Sequence, residues 1–324
     1  MSSDEVAFYL PGARLDLLRK LDVDAEWPRF ATGLHAWVLQ TYLRLRERGL
    51  PVRLTDTVPD QGVLVTHAHS REQLLAGGPG RGLVVVTVRA DKAPQHYADV
   101  EVVQNAGSAD GRRVLAVPHW PQPGLVPRDP GRGDEVRTAA FKGHLSALHP
   151  SLLEPSWAAF LADRGIDWHC DGAAFGGPGT TYTGVSWNDY SGTDLVVAAR
   201  RDWTDPAARK PASKLVNAWL AGVPALLGPE LPYRELRRSP LDYLEVGSLT
   251  ELQSAVDRLL GSPDLYRAMV ENGRGRAHAF TVAAVAEQWQ RLLFEQVPRA
   301  TRTPVRHLPR RAAAGLRRLR ARLG

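Results

Sequence analysis

Residues 210–227 constrain the fold most, because they read as a helix that leads directly into a buried strand. Pro211 suits the first helical position, Gly222 suits the C-terminal end, and Pro224 keeps the helix from continuing. The apolar run 225–227 follows at once. A helix joined to a strand by so short a connection is typical of an α/β protein.

One face of this predicted helix is polar and carries two lysines near the helix start. Lys210, Ser213, Lys214 and Asn217 recur at helical spacing, so we expect them to share one outward face. The helix dipole prefers anions at this end by about 0.3 to 1 kcal/mol, which makes lysine unfavourable there unless a phosphate binds. The pattern indicates either a diphosphate site or the solvated face of an amphipathic helix.

The same alternation of strand and helix runs through two halves of the chain. Strands rich in valine on both faces, alternating with helices, predict buried parallel sheets. In the first half the predicted strands are 6–10, 52–55, 62–66, 83–88, 100–104 and 113–117, with helices at 31–49 and 70–76. In the second half they are 137–141, 167–170, 194–199, 225–227 and 243–246, with helices at 156–165, 249–260, 263–272 and 281–295.

Between the halves, residues 119–134 hold four prolines and three glycines and show little periodicity. A length of 324 residues also exceeds the usual size of a single core. We therefore predict two Rossmann-like domains at 1–118 and 136–298, a hinge at 119–135 and a tail at 299–324. Ligands of open α/β sheets bind at the carboxyl ends of strands, so we expect the site in a cleft between the domains.

The net charge of +6 is concentrated in the tail, where residues 301–324 contain eight arginines and no acidic residue. The remainder is close to neutral, which argues against nucleic acid as a partner. Leucines and alanine at helical spacing (308, 312, 316, 319 and 323) alternate with these arginines. The tail is either a basic amphipathic helix resting on an anionic membrane surface, at up to about 1 kcal/mol per arginine, or a disordered basic segment.

The composition also predicts a cytoplasmic protein. The single cysteine, Cys170, rules out an internal disulfide and fits a reducing compartment. The first twenty residues carry scattered charges, and no run of 18 uncharged apolar residues occurs. Motifs for dinucleotide binding, P-loops, serine hydrolases and zinc proteases are absent, which argues against an oxidoreductase that uses a dinucleotide.

Candidate residues for the chemistry lie beside predicted strand ends in the first half. His35, close to Gly33 at the start of the long helix, is either a general base for an acceptor hydroxyl, with an ordinary pKa of about 6.5, or a core histidine. Asp91 follows the strand that starts at residue 83 and is either an active-site carboxylate or a loop residue. We assign Gly33, His67 and His69 to the acceptor side. No third ligand accompanies the two histidines, so no metal site is predicted.

These features together resemble the glycosyltransferases of the GT-B fold. The resemblance rests on the two α/β halves, the W-P-Q-P-G-L-x-P-R-D hinge at 120–129, the K-P-x-S-K-L-x-N-A-W-x-A-G-V-P helix followed by a strand and L-G-P-E, and Trp289 in a terminal helix. It extends to about residue 298. It is strongest to uncharacterised bacterial members of these enzymes.

The resemblance implies an enzyme without cofactor or metal that moves a sugar from a nucleotide diphosphate to a hydroxyl acceptor, in cell-surface or secondary-metabolite glycosylation. The second domain would bind the donor and the first the acceptor. It implies that Lys142 and Gly143 approach the diphosphate. Lys210, Ser213 and Lys214 would then stabilise the departing nucleotide. Asn188 and Asp189 either shape the donor pocket or cap a turn.

Retaining members carry two glutamates in an E-x7-E pattern, and the resemblance assigns their positions to Lys210 and Asn217. Asn217 still offers a hydrogen bond to a ribose hydroxyl, but both carboxylates are absent. The alternative function is therefore a catalytically inactive module that binds nucleotide sugars. Donor hydrolysis by the purified protein separates the two functions.

Overall fold

The computed structural model describes residues 5–80, 82–176 and 180–301, which divide into two compact units. The first unit contains the described residues up to Val23, Phe30–Pro118 and the chain from Val285 onward. The second contains Asp24–Arg29 and His119–Ala284. Each unit has one parallel sheet and several helices, so the predicted α/β class is confirmed. The predicted basic helix of the tail lies outside the described residues from 302 onward.

The sheet of the first unit has six parallel strands. They are β1 Val6–Tyr9, β2 Val52–Thr55, β3 Gln61–His67, β4 Gly82–Val88, β5 Val100–Val103 and β6 Val114–Ala116, in the order β2-β1-β3-β4-β5-β6. The helices are α1 Leu15–Leu18, a π-helical turn His35–Leu39 that continues into α2 Gln40–Glu47, and α3 Arg71–Ala76. Residues 33 and 34 are helical as well, so the long helix predicted from residue 31 begins at Gly33.

The sheet of the second unit has five parallel strands. They are β7 Thr138–His144, β8 Asp167–Ala173, β9 Leu195–Ala198, β10 Ala225–Leu227 and β11 Leu244–Glu245, in the order β11-β10-β9-β7-β8. The helices are α4 Pro155–Ala162, α5 Ser213–Ala221, α6 Leu231–Leu236, α7 Leu249–Leu260 and α8 Pro263–Ala277. Helix α9 Val282–Arg291, a π-helical turn Leu292–Gln296 and α10 Val297–Thr301 follow.

Both sheets are held between layers of apolar side chains. All four residues of β1, β5 and β9 are buried, as expected for parallel strands covered on both faces. In the second unit Phe141 and Leu195 from the strands share one core with Trp157 from α4 and Leu215 from α5. Each fully buried side chain of this kind contributes about 1.5 to 3 kcal/mol, so helix α5 is fixed firmly on the sheet.

The compact units differ from the predicted domains at both boundaries. The chain from Val285 belongs to the first unit, where Trp289 packs edge-on to Trp37 with ring centroids 6.4 Å apart. Residues 24–29 belong to the second unit, where Asp24 accepts a hydrogen bond of 2.8 Å from the amide of Gly124. Such contacts between residues distant in sequence leave no compositional signal.

The proline-rich segment 119–135 is part of the second unit, because Asp194 at the start of β9 anchors it. Fully buried Asp194 accepts hydrogen bonds from Arg128 at 2.8 Å and Arg132 at 2.6 Å. Its second oxygen also accepts from the amides of Arg137 and Thr138, each at 2.9 Å. Burial by itself would raise the pKa of Asp194, but the hydrogen bonds and the two guanidinium groups hold it below its ordinary value.

Substitution Asp194→Asn tests this anchor. Removing one partner of a buried ion pair costs about 3 to 5 kcal/mol, so we expect the free energy of unfolding, measured by urea denaturation at neutral pH, to fall by about that amount. Because the folded-state pKa lies below 3.8, the stabilisation is complete above pH 3.8 and is lost as the pH falls further. Asp16→Asn, which breaks an exposed pair with Arg14, is the control and should leave stability unchanged. Equal stability of both variants would contradict the anchor.

Candidate functional site

The carboxyl ends of β7 and β9 form the topological switch point of the second sheet, because the chain leaves these neighbouring strands in opposite directions. Strand β7 ends in Lys142, Gly143 and His144, and Arg200 follows β9. Ligands of open α/β sheets bind at such a point. A cavity of about 490 Å³ opens here, lined by Ser146 and by the loop 200–206.

Helix α5 begins at Ser213, two residues after Pro211, the predicted first helical position. A proline disfavours helical backbone geometry in the residue before it, which here is Lys210, before Pro211. Instead, Lys210 lies in a turn that begins at Ala207, whose φ is 44°, and its amide donates to the carbonyl of Ala207 at 2.7 Å. The predicted end is confirmed, since Gly222 adopts the left-handed conformation at φ 70°.

The N-terminus of α5 has no side-chain cap. The residue before the helix is Ala212, which offers no oxygen to the amides of the first turn. Uncapped amides and the helix dipole together favour an anion at this end. Ser213 and Lys214 are the first two helical residues, so a hydroxyl and an ammonium group stand at the same helix end.

The ammonium group of Lys214 is half-buried and not neutralised. A Cβ atom at position 143 would lie 3.3 Å from Lys214 Nζ, and the centroid of the Phe141 ring lies 5.3 Å from it. Within the described part of the chain no carboxylate forms an ion pair with this group. Burial lowers the pKa of Lys214 to about 8; Glu230 opposes the shift.

Gly143 makes room for this ammonium group. Residues other than glycine rarely adopt its φ of 145°, and the missing Cβ leaves space for the Lys214 side chain. A glycine between Lys142 and His144 therefore allows the helix residue to approach the strand end.

Glu230 is the carboxylate whose charge raises the pKa of Lys214, but it is paired with an arginine. It is 3% exposed and accepts from Arg200 Nε at 2.9 Å. Burial raises the pKa of Glu230, while Arg200 and Lys214 act in the opposite direction. Because Arg200 takes this carboxylate, the positive charge of Lys214 remains available. Sequence reasoning did not assign Glu230, although it closes the L-G-P-E motif.

The ammonium group of Lys142, unlike that of Lys214, is paired within the protein. Its ammonium group lies 3.3 Å from Asp171 Oδ2, donates to the carbonyl of Ser186 at 3.1 Å and lies over the Tyr190 ring. Its predicted contact with a diphosphate stays a prediction, but the structure gives the side chain a role in fixing the loop at Ser186 onto the end of β8.

Of three further predicted donor residues, Asn217 and Asn188 hold the proline-rich segment in place, and Asp189 caps a turn. Asn217 is 8% exposed rather than outward-facing, and its Oδ1 accepts from the amide of Gln122 at 3.0 Å, so the predicted outward polar stripe is wrong at this position. Asn188 donates to the carbonyl of Gly124 at 2.9 Å. Asp189 accepts from the amide of Ser191 at 2.8 Å, which is the predicted turn cap.

Counting the E-x7-E spacing backward from Asn217 leads to Arg209, not to Lys210. Arg209 and Lys210 are both exposed and both basic. Neither position carries a carboxylate, so both are basic where the E-x7-E pattern has glutamate.

In the first unit the structure brings together Gly33, His67, His69 and Asp91. A Cβ at position 33 would lie 3.0 Å from His67 Nε2, and the two imidazole centroids are 4.6 Å apart. The charge of Asp91 acts on both histidines. His35 lies on the first turn of the π-helical segment.

His67 is a neutral, buried imidazole. Its Nδ1 accepts from the amide of His69 at 3.1 Å, which leaves the ring proton on Nε2. Burial, followed by the charge of His69, lowers the pKa of His67 to about 3. The Nδ1 lone pair is engaged by this hydrogen bond, so the His67 side chain caps the turn that follows β3.

Among the described residues no group of three or more His, Cys, Asp or Glu side chains is placed to hold a metal ion. In the same part of the chain no helix combines the length and the apolar composition needed to cross a bilayer.

The titration of Lys214 can be measured without a ligand. The chain has only five lysines, so reductive ¹³C-methylation resolves them by NMR, and Lys214→Arg assigns the signal. Burial of an unpaired ammonium group predicts that Lys214 titrates near pH 8. A midpoint above pH 10 would contradict the buried, unneutralised state.

No protein-family model matches the sequence, and no curated protein matches it in a sequence comparison. Solved structures do match. Sucrose-phosphate synthase from Thermosynechococcus elongatus superposes with a TM-score of 0.59 at 11% identity, over 92% of this chain and 100% of the other. AviGT4, a glycosyltransferase involved in avilamycin A biosynthesis, gives 0.56 at 16% identity over 91% and 98%. Anabaena HepE in complex with UDP-glucose gives 0.53 at 15% identity over 89% and 99%.

Other matching chains are longer, and this chain spans 58% of the length of TarM. At such identities the likeness establishes the fold alone. The predicted fold is confirmed: the chain has the two-sheet α/β architecture of the GT-B glycosyltransferases.

Proposed function

We propose that this protein is a metal-independent glycosyltransferase that moves a hexose from a nucleotide diphosphate to a hydroxyl acceptor. The observation that carries the proposal is the unneutralised, half-buried ammonium group of Lys214 at the uncapped start of α5. An ammonium group is costly in this position unless an anion binds beside it. The UDP-glucose bound to HepE, a protein of the same fold, supports a nucleotide sugar as that anion.

The second unit would bind the donor. The amides of the first turn of α5, the hydroxyl of Ser213 and the ammonium group of Lys214 are the groups that would hold the diphosphate. In the reaction the bond between the anomeric carbon and the diphosphate oxygen breaks, so negative charge develops on the leaving group. Lys214 and the helix dipole would stabilise this charge in the transition state without a metal ion.

The first unit would bind the acceptor. The acceptor oxygen forms the new bond to the anomeric carbon and loses its proton, which requires a base. The two candidates for this base are Asp91, whose charge acts on His67 and His69, and His35. Gly33, whose missing Cβ leaves room for the His67 ring, would lie on the acceptor side with it.

One observation favours the alternative function, a nucleotide-sugar binding module without transfer activity. The positions expected to carry glutamates hold Arg209 or Lys210 and Asn217, and Asn217 already accepts a hydrogen bond from Gln122. Incubation of the purified protein with the nucleotide sugar that it binds separates the two. Release of the free nucleoside diphosphate, with or without an acceptor, indicates the enzyme; an intact donor indicates the binding module.

Nucleotide binding tests the proposed donor site. We expect one of UDP, GDP, ADP or dTDP to raise the melting temperature, and CMP, which lacks a diphosphate, to raise it less. Lys214→Ala removes a charge-assisted contact, so the Kd from calorimetry should rise roughly 10- to 100-fold. Lys20→Ala, at an exposed position of the first unit, is the control. A protein that binds none of these nucleotides, or binds equally well after Lys214→Ala, would contradict the proposal.

The pH dependence of binding gives a second test of the same residue. Because burial lowers the pKa of Lys214 to about 8, its positive charge is present below pH 8 and is lost above it. Kd for the selected nucleotide should therefore rise between pH 7 and pH 9.5. Lys214→Arg, which keeps its charge throughout this range, should show no such rise. The same rise in both proteins would assign the titration to another group.

A further inference from the structure

His144 occupies the end of β7 beside the Lys214 site and is enclosed by aromatic rings. The centroids of Phe175, Tyr182 and Trp187 lie 5.3, 5.1 and 5.1 Å from that of the imidazole. The rings of Phe175 and Trp187 stand nearly perpendicular to it, at 85° and 82°. These rings bury the imidazole in part, although Phe175 is itself 61% exposed.

The imidazole has unused hydrogen-bonding capacity. His144 Nδ1 is buried and has no hydrogen-bond partner among the described residues. The polar groups of two surrounding rings are directed elsewhere: Trp187 donates its indole N–H to the carbonyl of Asp171 at 2.8 Å, and the Tyr182 hydroxyl accepts from the amide of Gly176 at 3.2 Å. A buried polar atom without a partner is costly, which points to a ligand that completes the site.

The charges around His144 are mainly positive. Burial is the largest cause that lowers the pKa of His144 below its ordinary value of 6.5. The positive charges of Lys214 on α5 and Lys210 on the preceding loop lower this pKa further. The neighbouring Lys142 is paired with Asp171. Beyond Lys214, Glu230 is paired with Arg200. In the free protein the imidazole is therefore neutral near pH 7.

A bound diphosphate would reverse this balance. Two phosphate groups beside Lys214 would cancel the repulsion that the lysines exert on a protonated imidazole and would accept a hydrogen bond from it. We infer that His144 is a further residue of the diphosphate site and that the protein takes up a proton on this imidazole when a nucleotide sugar binds. This inference rests on the proposed function and adds a titratable ligand to it.

Calorimetry on the unaltered protein measures the proton directly. The probe is whichever of UDP-glucose, GDP-glucose, ADP-glucose and dTDP-glucose binds most tightly, because a diphosphate diester lacks the ionisation near pH 6 of a terminal phosphate. At pH 6.5, binding in two buffers with different ionisation enthalpies should report an uptake of roughly half a proton. An uptake of zero would overturn the inference.

The linkage also predicts the pH dependence of Kd. Protonated His144 binds the anion better, so Kd should rise roughly five-fold between pH 5.5 and pH 7.5, a window that lies below the titration of Lys214. His144→Gln should remove this rise, and His144→Arg, which is always charged, should bind with a flat profile at low Kd. His169→Gln, at an exposed position of β8, should keep the profile of the unaltered protein. A slope that survives in His144→Gln would overturn the inference.

The outcome separates this inference from the proposed function. Tight binding of a nucleotide sugar that depends on Lys214, with no proton uptake and no effect of His144→Gln on the slope, keeps the proposed function and rejects the role of His144. Failure of all four nucleotide sugars to bind rejects both.

Discussion

The positive charge of Lys214 is the constraint around which the end of the second sheet is arranged. Its ammonium group lies against Gly143, and burial lowers its pKa. Glu230, whose charge opposes this shift, forms its hydrogen bond with Arg200. A folded protein pays for such a charge in stability unless a ligand neutralises it. The uncapped start of α5 at the same place makes an anion the fitting ligand.

The remaining polar groups around this site serve the fold. Asp194 holds Arg128 and Arg132, Asn217 accepts from the backbone at Gln122, and Lys142 is held by Asp171. Together these contacts fasten the proline-rich segment and the loop at Ser186 to the second unit. Because these groups already have partners, Lys214 and His144 beside Gly143 are the residues that we propose to bind the diphosphate.

The sequence was sufficient for the architecture and insufficient for the site. Valine-rich strands alternating with amphipathic helices gave both parallel sheets, since that pattern depends only on local periodicity. Gly222 marked the end of α5 because a left-handed residue there favours glycine. Helix α5 begins two residues after the predicted first position, Pro211, because the chain first forms the turn at Ala207. The partners of Lys142 and Asn217 lie 29 and 95 residues away, and no local pattern indicates them. His144 follows Lys142 and Gly143 directly in the sequence. The rings around it belong to Phe175, Tyr182 and Trp187, which only the folded chain brings to the end of β7.

A crystal structure of the protein with the nucleoside diphosphate that it binds most tightly tests the central claim most directly. The account predicts a phosphate oxygen at hydrogen-bonding distance, about 2.7 to 2.9 Å, from Lys214 Nζ, with the diphosphate over the first turn of α5. A nucleotide bound elsewhere, with Lys214 still unpaired beside Gly143, would contradict it.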